Sequence, residues 1–421
     1  MRRRTGRVFA AAVAAACVFS VVSCSSDDDS GSDGSGGAAE GSGVAATGDP
    51  IRVGLFNPSQ GPGTQPGVTT GKDAAVEYIN NQIGGIDGRP IEVIDCGIDQ
   101  TAPESTISCA NQFVQAGVVA AIDGYNSESQ AAMPILTSAG IPMVGQIPFN
   151  TATGAEAANR VYFGPPAAAF LVGFMQSLKA AEKESLTLAN ADLPQAHQVF
   201  DTLMVPLGQQ LQIDVNGVYY PPAGPNYTAL ATTLADGDPA AAGLMTSANE
   251  NNCTKLSQSL RSVGYQGTMF MAACTEFIET MGAQAVGAQT YSPIWQPPAL
   301  DSAPQEVKEN VQISEQYVDE AGGSGGFYAY GMFATLVDFV NGLNTAGVTD
   351  FTGPSVLAGL KGLTDFQSFA GPTLTCGKET TPNCTTEMLL FEVTGDNTTE
   401  PVGGGYITPN PEVLAMIPGA I

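Results

Sequence analysis

From residue 51 onward, short apolar runs alternate with stretches that place apolar residues on one helical face. IRVGLF at 51–56 reads as a buried strand. A Gly/Pro/Gln/Thr loop follows, then a helix over 72–82 that stops at Gly84-Gly85. The series continues with IEVIDC at 91–96, a helix over 102–115, VVAAI at 118–122, a helix over 129–139 and IPMV at 141–144. It restarts after Phe163-Gly164-Pro165-Pro166 with helices over 171–181, 195–211, 227–235 and 253–263. Strands at 186–190, 215–220, 242–247 and 268–273 lie between and after them. Alternation at this spacing marks parallel βαβ units, so the expected fold class is α/β with two doubly wound parallel-sheet lobes. A strand and Pro-bounded crossing near 291–297, helices over 305–320 and 327–346, and a Cys-containing β segment ending in MLLFEV at 388–393 complete the reading.

The first residues follow a different pattern. Arg2, Arg3, Arg4 and Arg7 precede an apolar run at 8–22, too short to remain as a membrane-spanning helix. It ends in Val21-Val22-Ser23-Cys24, which resembles the lipobox of bacterial lipoproteins. The resemblance implies a signal peptide over 1–23, cleavage before Cys24 and acylation of that cysteine. Several acyl chains make a stable anchor where one is marginal. Residues 25–49 are rich in Gly, Ser and Asp and too poor in apolar groups to fold alone, so 24–49 reads as a lipidated cysteine on a disordered tether. Such a tether has a reach of roughly 25–30 Å. The expected location is extracytoplasmic, lipid-anchored to the outer face of a bacterial cell membrane.

Charge and cysteine content narrow the chemistry. The chain carries 15 Lys and Arg against 41 Asp and Glu, a net charge of −26. Nucleic acid and anionic lipid are repelled by such a surface, so no nucleic-acid partner is expected and attachment falls to the lipid. The one histidine, His197, cannot build a His-based metal site, and no cysteine pair has zinc-site spacing. No metal, no cofactor and no catalytic constellation is expected, hence no enzyme. PGVTTGKD at 66–73 brushes the phosphate-loop pattern, but Pro66 replaces its first Gly and Asp73 its hydroxyl, which disfavours nucleotide binding. With Cys17 removed and Cys24 lipidated, six cysteines remain and should pair outside the cytoplasm. Chain proximity favours Cys96–Cys109, Cys253–Cys274 and Cys376–Cys384.

In open α/β sheets, ligands bind outside the carboxyl ends of the strands. Those ends read SQGPGTQP (with Gln65), DGYNSESQ and GQIPFNT in the first lobe, and NADLPQ, SANENN and ACTEF in the second. They are rich in hydroxyl, amide and carboxyl groups and hold no nucleophile–base pair, which suits a binding pocket.

IRVGLFNPSQGPG, GKDAAVEYINNQIGGIDGRPIEVIDCGID and VVAAIDGYNSESQAAMPILTSAGIPMV together resemble the Leu/Ile/Val-binding branch of periplasmic binding proteins, the substrate-binding subunits of ABC importers. RSVGYQGTMFM at 261–271 and FYAYGMFATLVDFVNGLNTAG at 327–347 match later landmarks of that branch. The resemblance implies two lobes, 50–165 with 294–390 and 166–293 with 391–421, joined by three crossings around a ligand cleft. It implies a small-molecule ligand, a permease partner and a monomer, with a lipid-anchored ligand sensor as the alternative. Carried over, the carboxylate-holding loop falls on Asn126, Ser127, Glu128 and Ser129, and the backbone loop on Gln146, Ile147, Pro148, Phe149 and Asn150. Second-lobe positions fall on Leu193, Pro194, Asn249, Glu250 and Glu276, and Tyr328 and Tyr330 supply cleft aromatics. The aromatic that amino-acid binders often place near Leu193 is absent, and Glu128 sets a negative charge beside the expected carboxylate site. A urea-like, amide or cationic ligand suits Glu128, Glu250 and Glu276 better than an amino acid does.

Overall fold

The computed structural model describes residues 43–61, 63–221, 224–245, 250–323, 325–417 and 419–421. The expected signal segment and Cys24 lie outside the described residues, as does Asn249. The last residues of the expected tether lie against the body: the Val44, Ala46 and Thr47 N–H groups donate to Gln82, Asn80 and Gly88 carbonyls.

The first lobe is built from β1 (Ile51–Gln60), α1 (Pro66–Asn81), β2 (Ile91–Asp99), α2 (Pro103–Ala116), β3 (Ala121–Asp123), α3 (Met133–Ala139), β4 (Met143–Gly145), α4 (Thr151–Gly154) and β5 (Arg160–Tyr162). Its strands form an all-parallel five-stranded sheet in the order β2-β1-β3-β4-β5. Covered on both faces, such strands read as continuous apolar runs, which is why IRVGLF is legible. The second lobe carries α5 (Ala167–Ala180), β6 (Ser185–Ala191), α6 (Pro194–Val199), α7 (Val205–Leu211), β7 (Asp214–Tyr220), α8 (Tyr227–Leu234), β8 (Ala241–Leu244), α9 (Glu250–Ser262), β9 (Thr268–Met271), α10 (Glu276–Met281) and β10 (Gln289–Ser292). The chain then adds α11 (Gln305–Glu320), α12 (Phe327–Thr345), α13 (Gly353–Lys361), a small hairpin of β11 (Phe366–Gln367) and β12 (Thr373–Leu374), β13 (Leu389–Gly395), β14 (Thr398–Pro401) and α14 (Pro411–Leu414). The second sheet has seven strands in the order β14-β13-β10-β9-β8-β6-β7, parallel except where β13 joins β10 and β14. Between the two sheets the chain passes after β5, returns after β10 to lay α12 on α1, and passes again into β13.

Several boundaries differ from the sequence reading. Helix α1 begins at Pro66, six residues before Lys72. The intervening Gly67, Thr69, Thr70 and Gly71 are weak helix formers, but they are held by packing. A Cβ on Gly71 would stand 2.1 Å from the Ala329 carbonyl oxygen of α12, so glycine is what lets the two helices touch. Lys72, read against a phosphate loop, is bound to Asp73 at 2.6 Å and Asp95 at 3.1 Å. The expected helix over 129–139 opens as a 3₁₀ turn, and the one over 195–211 is interrupted by a π turn at Phe200–Met204. Strand β5 and helices α10 and α13 are additions. All three expected disulfides are formed.

One core cluster unites both lobes: Val53 and Leu55 of β1, Phe174 of α5, Leu188 of β6 and Phe333 of α12. Separate clusters fill the outer faces of each sheet. Two carboxyl groups lie within this packing. Asp338 of α12 accepts the Phe369 N–H at 2.6 Å, and burial pushes its pKa up to about 8. Asp123 is pushed to about 6 by burial, held back by hydrogen bonds from the Tyr162 hydroxyl and the Asn126 N–H. An acid whose native pKa exceeds its unfolded value stabilises the fold below the unfolded pKa, and that contribution is lost as pH rises through the native one. The melting temperature of the ligand-free protein should therefore fall between pH 5 and pH 9. Asp338→Asn, which fixes the neutral form, should flatten that slope in circular-dichroism melts; an unchanged slope would remove Asp338 as its source.

Candidate functional site

A cavity of about 420 Å³ opens between the N-terminal ends of helices from both lobes. From the first lobe, Thr64, Gln65 and Gly67 line it at the start of α1. Pro66 occupies the first turn of that helix, where its missing N–H costs nothing. The Gln65 N–H donates to the Pro58 carbonyl at 2.8 Å, which folds the loop after β1 back onto the strand. From the second lobe come Glu250, Asn251 and Thr254 of α9 and Glu276 and Thr280 of α10. Gly325 and Tyr328, around the start of α12, close the remaining side. The described lining offers two carboxyl groups, two amides and three hydroxyl-bearing threonines, and no cationic side chain.

Glu250 is the most constrained of these residues. It sits in the first turn of α9, where the helix dipole favours a negative charge. Its Oε2 accepts N–H groups from Thr275 at 2.9 Å and Glu276 at 3.3 Å, and its Oε1 accepts the Phe327 N–H at 3.3 Å. Burial pushes the carboxyl up to about pH 8, the Glu276 charge adds to the shift, and the three N–H groups oppose it. Cys253–Cys274 ties α9 one turn beyond Glu250 to the residue just before Thr275, so the disulfide holds acid and donors together. Gly326 has φ +116°, and a Cβ there would stand 3.0 Å from Glu276 Cγ and 3.3 Å from one carboxylate oxygen of each acid. Glycine is required at that point for both its backbone conformation and the close approach.

Of the residues singled out in the sequence, Gln65, Glu250, Glu276 and Tyr328 are brought together in the cavity wall. Phe149 stands behind them, its ring 5.2 Å from Tyr125 and 6.4 Å from Tyr328. The Asn126–Ser129 loop turns its side chains into its own lobe. Asn126 donates to Thr106 at 3.0 Å, Ser127 donates through N–H and hydroxyl to Gln100, and Ser129 donates to Thr153 at 2.9 Å. Glu128 is partly buried, its pKa raised by desolvation and then by Glu104 of α2. Gln146 accepts the Thr335 hydroxyl, Ile147 and Pro148 are buried, and Asn150 caps α4. Tyr330 is buried with its hydroxyl against Gly325. Leu193 is 42% exposed at the start of α6; of Pro194 only the backbone is described. His197 is half-exposed, stacked on Tyr219 and bonded to Asp192.

Thr64, Pro66, Gly67, Asn251, Thr254, Thr280 and Gly325 complete the wall and were not singled out. The glycine run AGGSGG at 321–326, directly before an apolar helix, was the available signal for Gly325. Tyr125, also missed, has φ +63°, and its hydroxyl stands 2.0 Å from where a Cβ on Gly331 would lie. Threonines and asparagines in first helical turns carry no comparable mark.

A family model described as periplasmic binding protein matches residues 50–398. An ABC transporter substrate binding protein from Aeropyrum pernix superimposes with TM-score 0.68 at 16% identity, covering 86% of this chain and 97% of its own. A leucine binding protein from Thermotoga maritima gives 0.65 at 14% identity, covering 85% and 99%. An extracellular ligand-binding receptor from Rhodopseudomonas palustris HaA2 gives 0.66 at 16% identity, covering 85% and 99%. No curated protein sequence matches the chain. A two-lobed α/β body with a cavity between the lobes, matched over most of its length, places the chain in the periplasmic binding protein family.

Proposed function

We propose that this protein is an extracytoplasmic solute-binding lipoprotein. It captures a small polar solute in the cavity between its lobes, closes around it by hinge motion, and delivers it to the permease of an ABC importer. The observation that carries the reading is the composition of the cavity wall: Gln65 from one lobe and Glu250 and Glu276 from the other face one space of about 420 Å³. That volume fits a small metabolite, with a few polar groups to orient it. The described lining contains hydroxyl, amide and carboxyl groups but no nucleophile–base pair, which favours binding over catalysis. The two carboxyl groups favour a solute with a cationic or amide head, since an uncompensated carboxylate brought beside the Glu276 charge would be repelled.

The two lobes, 50–165 with 294–390 and 166–293 with 391–421, are proposed to move as bodies. Cys24 is proposed as the lipid-bearing residue that keeps them at the membrane.

Three outcomes follow. A saturating solute should reduce the radius of gyration in small-angle scattering, whereas an unchanged radius would argue against closure. Glu276→Gln should weaken a cationic solute by at least about 1.5 kcal/mol, on the scale of a lost charge-assisted hydrogen bond, as read by calorimetry. Equal affinity would take Glu276 out of the site. Replacing Cys253 and Cys274 together by Ser should lower stability by about 3 kcal/mol for a loop of this length and also weaken the solute. A loss of stability with full affinity would show that the disulfide does not organise the site.

A further inference from the structure

We propose that Glu250 is a latch between the lobes: its two carboxyl oxygens join the start of α12 on the first lobe to the start of α10 on the second, with or without solute. The inference rests on the reading of the chain as a two-lobed clamp. Its ground is a division of labour between the oxygens. Oε2 takes the Thr275 and Glu276 N–H groups, both within the second lobe. Oε1 takes the Phe327 N–H across the cleft.

Phe327 belongs with the first lobe because α12 is fastened there along its length. Ala329 lies against Gly67 and Gly71 of α1. Thr335 donates to Gln146 at 3.2 Å, and Asn344 donates to the Gly85 carbonyl at 2.9 Å. Glu250 is fastened just as firmly to the second lobe, one turn from the Cys253–Cys274 disulfide. A bond between Oε1 and the Phe327 N–H therefore cannot survive separation of the lobes.

Among the described residues no ion pair engages Glu250. Its compensation is backbone N–H, part of it contributed by the opposite lobe. The same carboxyl lines the cavity, so a solute that touches it meets the group that holds the cleft shut. Opening returns Glu250 to water and leaves the Phe327 N–H to find another acceptor. The latch biases the empty protein toward the closed arrangement, and the solute adds to that bias.

The chemistry selects a diagnostic variant. A carboxyl group, charged or neutral, presents two oxygens that can accept. A carboxamide presents one, and its nitrogen cannot accept an N–H. Glu250→Gln, of nearly the same size, can serve α10 or α12 but not both. Glu250→Ala can serve neither.

The test is a pulsed electron–electron spin resonance measurement on the solute-free full chain. Nitroxide labels are attached to cysteines introduced at Ile107 of α2 and at Val286 in the second lobe, both exposed. Wild type should contain a short-distance population matching this structure. Glu250→Gln and Glu250→Ala should each deplete it by between about twofold and tenfold, the worth of one net hydrogen bond. A short-distance fraction that both variants leave unchanged, in a protein that does sample two distances, overturns the latch and leaves the clamp standing. A single distance in wild type and both variants, unmoved by a solute that raises the melting temperature, overturns the clamp and the latch with it. Near-ultraviolet circular dichroism on each variant confirms that the distances are read on folded protein.

Discussion

A carboxyl group withdrawn from water must be compensated by donors, by a cation or by a proton, and the desolvation involved is large enough to shape everything near it. In this molecule the group is Glu250, and its compensation comes from three backbone N–H groups on two other segments. Those segments must converge on the first turn of α9. The Cys253–Cys274 disulfide brings one, and the glycine-rich approach to Phe327 brings the other. Convergence in turn fixes where α10 and α12 begin, and these starts form two walls of the cavity. The third wall, at the start of α1, is placed by Gly71 lying against Ala329. The cavity is thus the space left where helix starts from both lobes meet a buried acid.

Much of the fold was legible because its central strands are buried on both faces. Runs such as IRVGLF and TMFM announce themselves without any alternation, and the helices between them carry clear apolar faces. What escaped has physical reasons. Strand β5 is the three residues Arg160–Tyr162, and α10 is the six residues Glu276–Met281, both shorter than any periodicity can mark. The first turns of α1 were hidden because Gly67 and Gly71 look like loop residues, whereas they are contact residues of a close helix pair.

The site was legible as a neighbourhood but not as a set of side-chain directions. Strand-end loops and family resemblance together named Gln65, Glu250, Glu276 and Tyr328, which line one cavity. The same reasoning named Asn126, Ser127 and Ser129, chemically just as suitable, and these point into their own lobe to Thr106, Gln100 and Thr153. Which way a polar loop residue faces depends on partners distant in sequence. A string of hydroxyl and amide residues does not carry that information. The glycines around 321–326 do carry some, because a close approach leaves no room for a Cβ.

The polarity of the cavity links the site to the chain as a whole. A protein of net charge −26, with the Glu276 charge and no cationic side chain in the described lining, presents a negative potential to any solute that enters. Such a field favours cations over anions, which supports the solute class proposed above. The most direct test of the account is a crystal structure of the protein with whichever solute most raises its melting temperature among amino acids, amides, polyamines and urea. The solute should sit in the cavity between Gln65 and Tyr328, with its cationic or amide head against Glu250 and Glu276. A solute seated elsewhere, or one that turns a carboxylate toward those two acids, would contradict it.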